Sequence, residues 1–483
     1  MAAKEFRQFI EALEKTGDVL RISQEVDWDL EVGAIGRRAY ERGDPAILFE
    51  KIKDYPEGYR IFNGSLGTFR RVAISMGLPP DTSIRDIYKE YERRESQPVK
   101  PMVVPSGPCK ENILQGDDVD LYRLPAPMIH EGDGGRYIGT WDVVVFQDPA
   151  SEWANWGMYR FMVHNQRYMV GFPRRHSHLG MILHQKFVPE GKPMPIALVL
   201  GADPMCHQVA TASYGIGVSE ADYAGALRQA PVELVKCETS DLLVPAQSEI
   251  VIEGEILPDM TAQEGPFGEY PGYRTEGARM GVLCRVKAIT FRNSPILSMI
   301  SLGTPPDDNS IATPIASAIA VKRRLRKRDI PVTDVYSPPA AVLHIAVIGV
   351  KSGGRKVAES ILDALTERRA DWSKVIMVDE DVDVFDMDQV MHALATKCHP
   401  DRGIIHREVE AGKANPLTPH YTPEERRAYK GAMALFDCTW PPEWPKETRI
   451  PIKTSFDSIY PKELQDMVVK NWKEYGFSEG GER

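Results

Sequence analysis

No two of the six cysteines in this chain are spaced as a CxxC pair; Cys109, Cys206, Cys237, Cys284, Cys398 and Cys438 are scattered. That excludes a zinc ribbon and a dithiol redox motif, and it fits reduced thiols in a cytosolic protein. No stretch approaches the roughly 20 apolar residues of a membrane span. The first residues, "MAAKEFRQFIEALEKTGDVL", lack the apolar core of a signal peptide. The chain therefore reads as cytoplasmic, with no membrane partner. It also lacks a basic excess. Lys and Arg number 59 against 69 Asp and Glu, a net charge of −10. An acidic balance argues against nucleic acid as the main partner but leaves room for a local basic pocket that binds a small anion. No GxGxxG follows a strand pattern, so there is no nicotinamide fingerprint. There is no internal repeat and no low-complexity segment.

What is present is an ordinary globular composition, 42% hydrophobic and 27% charged over 483 residues, enough for about three domains. Residues 1–105 read as a small α/β unit. It has an amphipathic helix over 4–16, with Phe6, Phe9, Ile10 and Leu13 on one side, then "GDVLRI", a second helix near 29–42 and "RIFNG". The Pro-rich "PVKPMVVPSGP" marks a linker. Residues 106–314 are strand-rich, from "YIGTWDVVVFQD" to "PILSMISLG", with Gly and Pro breaks that favour a barrel-like sheet. From 315 to 410 the pattern alternates. "AAVLHIAVIGV" and "KVIMVDEDV" are strands, and "GRKVAESILDALTERRA" and "DMDQVMHALATKC" are helices, a second α/β unit. Residues 411–483 have little periodicity and read as an extended tail that packs on a neighbour. The basic tract "KRRLRKR" (322–328) reads as a solvated helix face.

Four segments concentrate polar groups in apolar surroundings: Asn155 to Arg160, "RRHSH" (174–178), "GVSEADYAGAL" and "EGPFGEYPGY". In the last, Gly265, Pro266 and Gly268 bend the chain between Glu264 and Glu269. Two carboxyls facing one pocket would raise one pKa and supply a proton donor. A Gly-Pro loop with two solvated acids is the plainer alternative. Asn155, His178 and Glu220 form an amide, imidazole and carboxylate set that suits Mn²⁺ or Mg²⁺ better than zinc, or they are three unrelated polar residues. His176 and His184 compete as ligands, whereas His164 and His207 read as structural. Ser219 is a candidate N-cap for a helix starting at Glu220. Strict alternation would put Asn155 and Arg160 on opposite faces, so a shared site needs a turn, and Gly157 is the place for it.

In this order and spacing, "NWGMYR", "RHSH", "GVSE" and "EGPFGEYPGY" resemble the UbiD-type reversible decarboxylases, which use prenylated FMN. The resemblance covers roughly residues 1–400, and "EGPFGE" is its most specific piece. It implies an α+β fold, with a small N-terminal α/β domain, a central split β-barrel like that of flavin reductases and a C-terminal α/β dimerisation domain followed by the tail. It implies that Arg160, Glu264 and Glu269 are catalytic. It implies that Asn155, Met158, Arg160, Ser177, His178, Glu220 and Lys397 hold the cofactor, and that Asn155, His178 and Glu220 bind Mn²⁺. Trp153, Ser213 and Glu220 would take K⁺. The implied reaction is non-oxidative decarboxylation of an aromatic, heteroaromatic or α,β-unsaturated acid, reversible at high CO₂. A flavin prenyltransferase would supply the cofactor, and the assembly would be a homodimer or homohexamer. The rival readings are a flavin reductase-like oxidoreductase and a non-catalytic cofactor-binding subunit. Asp307 and Asp308, in "SLGTPPDDNS", receive no role.

Overall fold

The computed structural model describes residues 2–367, 371–445 and 449–477. The last residues of the helix expected over 354–370 and two pieces of the tail lie outside the described residues.

The first helix, Phe6–Thr16, buries Phe6, Phe9, Ile10 and Leu13 and ends at Gly17, whose φ of 75° closes the last turn. Strand Val19–Val26 runs parallel to Ala46–Ile52, which pairs antiparallel with Arg60–Asn63. The fourth strand of this sheet is Ile296–Met299, parallel to Arg60–Asn63. That strand was expected in the central sheet. All four of its residues are buried, so it has no polar face to reveal which sheet it joins. The N-terminal unit is thus completed by a strand that begins 233 positions after the end of its partner, at Ile296 against Asn63.

The central sheet has nine strands, all paired antiparallel. Its longest members, Ile250–Glu264 and Arg279–Phe291, form one hairpin broken by register shifts at Glu253/Gly254 and Ile256/Thr261. Such irregularities bend and twist a ladder, and the sheet curls into a half-barrel. Both of its faces are covered. In strand Asp142–Gln147, Val143 and Val145 pack into one core while Val144 and Phe146 pack into another. That explains why "VVVF" is continuously apolar.

The C-terminal sheet runs in the order Val332–Tyr336, Ile345–Val350, Lys374–Asp379, Gly431–Cys438, Ile404–Val409. Helices Arg355–Thr366 and Met387–Thr396 pack against it. The expected break at 411 fails here, because Gly431–Cys438 lies inside the sheet, parallel to Lys374–Asp379. Pro and Trp in the flanking sequence hid its alternation. Among the described residues, no helix is long and apolar enough to cross a membrane.

Helix Asp308–Arg326 ties the units together. Asp307 caps it, accepting from Ser310 N at 2.8 Å. The fully buried Asp308 accepts from Ser65 Oγ at 2.9 Å, from Leu66 N and from the Tyr40 hydroxyl, all in the N-terminal unit. The basic tract at the helix's far end is not simply solvated. Lys322 pairs with Glu92 at 3.0 Å and with Asp334 at 2.9 Å, and Arg323 pairs with Glu95. These contacts link helix Ile84–Glu95 of the first unit to the C-terminal unit. A tract read along one helix could not reveal partners contributed by two distant segments.

Ser298 joins the N-terminal sheet to the central one. Its hydroxyl accepts from Gly201 N at 2.8 Å and donates to Trp141 O at 2.9 Å, and it is buried. Ser298→Ala leaves both backbone groups unpaired and should destabilise the chain by about 1–3 kcal/mol. Denaturant unfolding checks this; an unchanged midpoint would show that the sheets are not coupled through this hydroxyl.

Candidate active site

A cleft of about 1480 Å³ opens between the central sheet, helix Asp308–Arg326 and the C-terminal unit. Strand Ala154–Gly157 delivers the first site residues. It stops at Gly157, where a Cβ would meet the Tyr159 ring at 2.5 Å. Residues 158–160 leave strand geometry before Phe161–Asn165 begins. The turn that lets Asn155 and Arg160 serve one cleft is therefore where the sequence placed it.

Asn155, His178 and Glu220 meet at one point. Asn155 Nδ2 donates to Glu220 Oε1 at 2.6 Å and lies 3.0 Å from His178 Nδ1. Trp156 N donates to Glu220 Oε2 at 2.9 Å. His178 and Glu220 each open a helix, His178–Ile182 and Glu220–Arg228. Ser177 caps the first through Gly180 N at 3.2 Å. Ser219 occupies the cap position of the second without a side-chain bond. Burial pushes the Glu220 carboxyl up to about 8 and lowers the His178 imidazole. Among the described residues, no Lys or Arg pairs with Glu220. A buried carboxylate facing an imidazole and an amide that can turn its oxygen inward is the donor chemistry of a hard divalent cation. No cluster of three His, Cys, Asp or Glu exists among the described residues; the third donor here is the Asn155 amide. Trp153 packs edge-on against His178, with ring centroids 5.3 Å apart, and donates through Nε1 to Val218 O at 2.8 Å. Met158, Ser177 and Ser213 line the same cleft, as does His176, whose ring meets Tyr429. His184 does not line it. His164 is exposed, and the buried His207 accepts from Ala202 N at 3.1 Å. Lys397 also lies apart from this group, held by Asp379 at 3.0 Å and Asp381 at 3.1 Å in the C-terminal unit.

Arg160 sits between the two carboxylates. Its Nε and Nη2 donate to Glu264 at 2.8 and 3.1 Å, and its Nη1 donates to Glu269. The Phe267 ring lies 4.9 Å from the guanidinium carbon. Burial works to raise the Glu264 pKa, but Arg160 and then Arg279 outweigh it and hold the carboxyl below its usual range. The expectation that one acid of a crowded pair is pushed up therefore fails at Glu264, because a guanidinium separates the pair. Burial also opposes the charge on Arg160, and the two carboxylates overcome it and raise its pKa.

Sequence reasoning missed several members of this site. Tyr137 donates to Glu264 Oε1 at 3.0 Å. Arg279 reaches Glu264 Oε2 at 3.3 Å. Glu264 and Arg279 are direct cross-strand partners, so hairpin register about the 265–278 loop was the signal that could have found Arg279. The loop itself is pinned by Asp133, which accepts from Gly268 N at 3.1 Å and contacts His130 Nδ1 at 2.9 Å. Gly268 must lack a side chain, since a Cβ would meet the His130 ring at 2.7 Å.

Models describing the N-terminal, Rift-related and C-terminal domains of 3-octaprenyl-4-hydroxybenzoate carboxy-lyase match residues 10–91, 102–305 and 312–438. The chain is 34% identical to pyrrole-2-carboxylic acid decarboxylase of Pseudomonas aeruginosa, over 99% of both chains. It is similar to the closed form of vanillic acid decarboxylase from Sedimentibacter hydroxybenzoicus, with a TM-score of 0.86, 31% identity and coverage of 99% and 100%. An evolved dimeric form of the UbiD-class enzyme HmfF from Pelotomaculum thermopropionicum, in complex with prFMN, matches at 28% identity, a TM-score of 0.80 and coverage of 96% and 100%.

Asp133→Ala would leave Gly268 N–H and His130 without their carboxylate. Hydrogen exchange should become faster across residues 265–273 than in the sheet strands. Uniform protection in the variant would mean that the loop is held by other contacts.

Proposed function

The chain belongs to the UbiD family of carboxy-lyases, and on that premise we infer that its cleft removes CO₂ from an aromatic, heteroaromatic or α,β-unsaturated acid with prenylated FMN as cofactor. The single observation that carries the reading is Arg160 held between Glu264 and Glu269 in that cleft. A flavin reductase has no use for this trio, and a non-catalytic subunit has no need to assemble it. Its relatives include enzymes named for pyrrole-2-carboxylic, ferulic and vanillic acids, so carboxyls borne on a ring and on an α,β-unsaturated chain both belong to the reading.

Loss of CO₂ from an sp² carbon leaves a carbanion that side chains stabilise poorly; prenylated FMN supplies the electrophilic sink. The chain's own residues do the rest. Asn155, His178 and Glu220 hold Mn²⁺ or Mg²⁺, which would anchor the cofactor phosphate. Met158, Ser177 and Arg160 would line its berth, and Trp153, Ser213 and Glu220 would hold K⁺. Lys397 is left out of this set, because it does not line the cleft and two aspartates already neutralise it.

Arg160 has one nitrogen, Nη1, that is not committed to Glu264. A substrate carboxylate competes with Glu269 for it. Glu269, displaced from Nη1, takes up a proton from solvent. After CO₂ departs, Glu269 returns that proton to the carbon, and the reverse sequence runs carboxylation. Glu264 stays ionised throughout and keeps Arg160 in place.

Homo-oligomerisation, as a dimer or hexamer, is supported by the tail. Ile452, Val469, Trp472, Tyr475 and Phe477 are among the large apolar residues exposed there, and a second copy of the chain would cover them. The proposal also places the enzyme in the cytoplasm, supplied with cofactor by a flavin prenyltransferase.

The test is reconstitution. Protein loaded with prenylated FMN and Mn²⁺ should release CO₂ from members of a panel of aromatic, heteroaromatic and α,β-unsaturated acids, and protein loaded with FMN should not. Glu220→Ala should lose Mn²⁺ and flavin together by elemental analysis and absorbance. Equal turnover with unmodified FMN would overturn the cofactor assignment.

A further inference from the structure

The two carboxylates and the guanidinium do not stand alone. Glu269, Arg160, Glu264, Arg279, Glu276 and Arg174 form a chain of alternating charge through the cleft wall. Arg279 contacts Glu264 at 3.3 Å and pairs with Glu276, and its guanidinium carbon lies 3.8 Å from the Phe172 ring centroid. Arg174 reaches Glu276 at 3.5 Å and the Tyr429 hydroxyl, from the C-terminal unit, at 3.3 Å.

We infer that Arg279 is a positioning residue for the decarboxylation proposed above: as a second cation on Glu264, backed by Glu276 and Arg174, it leaves Arg160 Nη1 available to Glu269 and the substrate carboxylate. The reasoning is one of shared charge. Glu264 is fully buried and needs cationic partners. With Arg279 present, Arg160 serves Glu264 through two nitrogens and Glu269 through the third. Without Arg279, Glu264 depends on Arg160 alone among cations, and the fork is drawn toward it and away from Glu269. Glu276 and Arg174 keep Arg279 from swinging into the cleft, where it would bind the substrate carboxylate itself. The groups that face Glu264 are Arg160 from the segment after strand Ala154–Gly157, Tyr137 from strand Tyr137–Gly139 and Arg279 from its own hairpin partner. Glu269 and Glu276 lie one step beyond the two arginines.

The inference rests on the decarboxylase reading, and the experiment separates the two. kcat is measured against pH for flavin-loaded wild type, Arg279→Met and Arg279→Lys. A neighbouring cation depresses a carboxyl pKa, so its removal raises the Glu264 value. Activity that needs ionised Glu264 then fails at higher pH. The acid limb of Arg279→Met should move up by about one pH unit, and Arg279→Lys should restore most of the difference. The thermal unfolding midpoint of the same proteins is followed against pH. A depressed Glu264 contributes stability that is complete above its unfolded value near about 4.3 and is lost as pH falls through the lower folded value. In Arg279→Met the folded value lies closer to the unfolded one, so the loss on acidification should be smaller, and in a Glu264→Gln background Arg279→Met should leave the pH dependence unchanged. An unmoved acid limb with normal flavin content, or a Lys variant as impaired as the Met variant, would overturn the assignment. If no acid on the panel is turned over, the decarboxylase reading falls. The unfolding curves still decide whether Arg279 acts through Glu264.

Discussion

A guanidinium that is buried must be neutralised, and Arg160 is neutralised twice. That requirement shapes the site. One carboxylate would pin the arginine as a static ion pair. Two allow an exchange in which one partner holds it and the other leaves. Glu264 is the holder, because two hydrogen bonds from Arg160, one from Tyr137 and the contact with Arg279 keep it charged despite complete burial. Glu269 has only the remaining nitrogen, and it sits on a loop set by Asp133 and His130. The asymmetry between the two acids comes from what surrounds them, since the residues themselves are identical.

The fold serves this arrangement by bringing distant strands to one end of a curled sheet. Tyr137, Arg160, Glu264 and Arg279 come from four places in the chain and converge because Tyr137–Gly139 pairs with Phe161–Asn165, which Arg160 directly precedes, and Tyr168–Gly171 links that strand to the hairpin carrying Glu264 and Arg279. Asn155 sits on strand Ala154–Gly157, and His178 and Glu220 sit on two helix starts. The C-terminal unit closes over the cleft through Tyr270 and Asn415, hydrogen-bonded at 2.6 Å, and through Tyr429 on Arg174.

Much of this was legible in the sequence for physical reasons. The first helix declared itself by periodicity, and Gly157 by the need to turn between Asn155 and Arg160. The bend at 265–268 followed from glycine and proline. What could not be read were pairings between distant segments. Ile296–Met299 is buried on both faces, so nothing local says which sheet it joins. Gly431–Cys438 lies in sequence that resembles a tail and enters the middle of a sheet. The basic run at 322–328 looked solvated because its acidic partners lie on other elements. Arg279 was visible only through register with Glu264, and Asp307 and Asp308 proved to be a helix cap and a buried acceptor for the N-terminal unit.

The central claim is that Glu269 carries the proton to the carbon that loses CO₂. Glu269→Gln preserves shape and hydrogen bonding but cannot cycle a proton. The direct measurement is exchange of product hydrogen for solvent deuterium by flavin-loaded protein in D₂O, followed by NMR alongside turnover. The account predicts that Glu269→Gln binds flavin and Mn²⁺ as wild type does, turns over about 10²–10⁴-fold more slowly, and leaves the product hydrogen unexchanged. Near-normal exchange and turnover in that variant with the cofactor bound would contradict it and move the proton to another group, with Glu264 the next candidate.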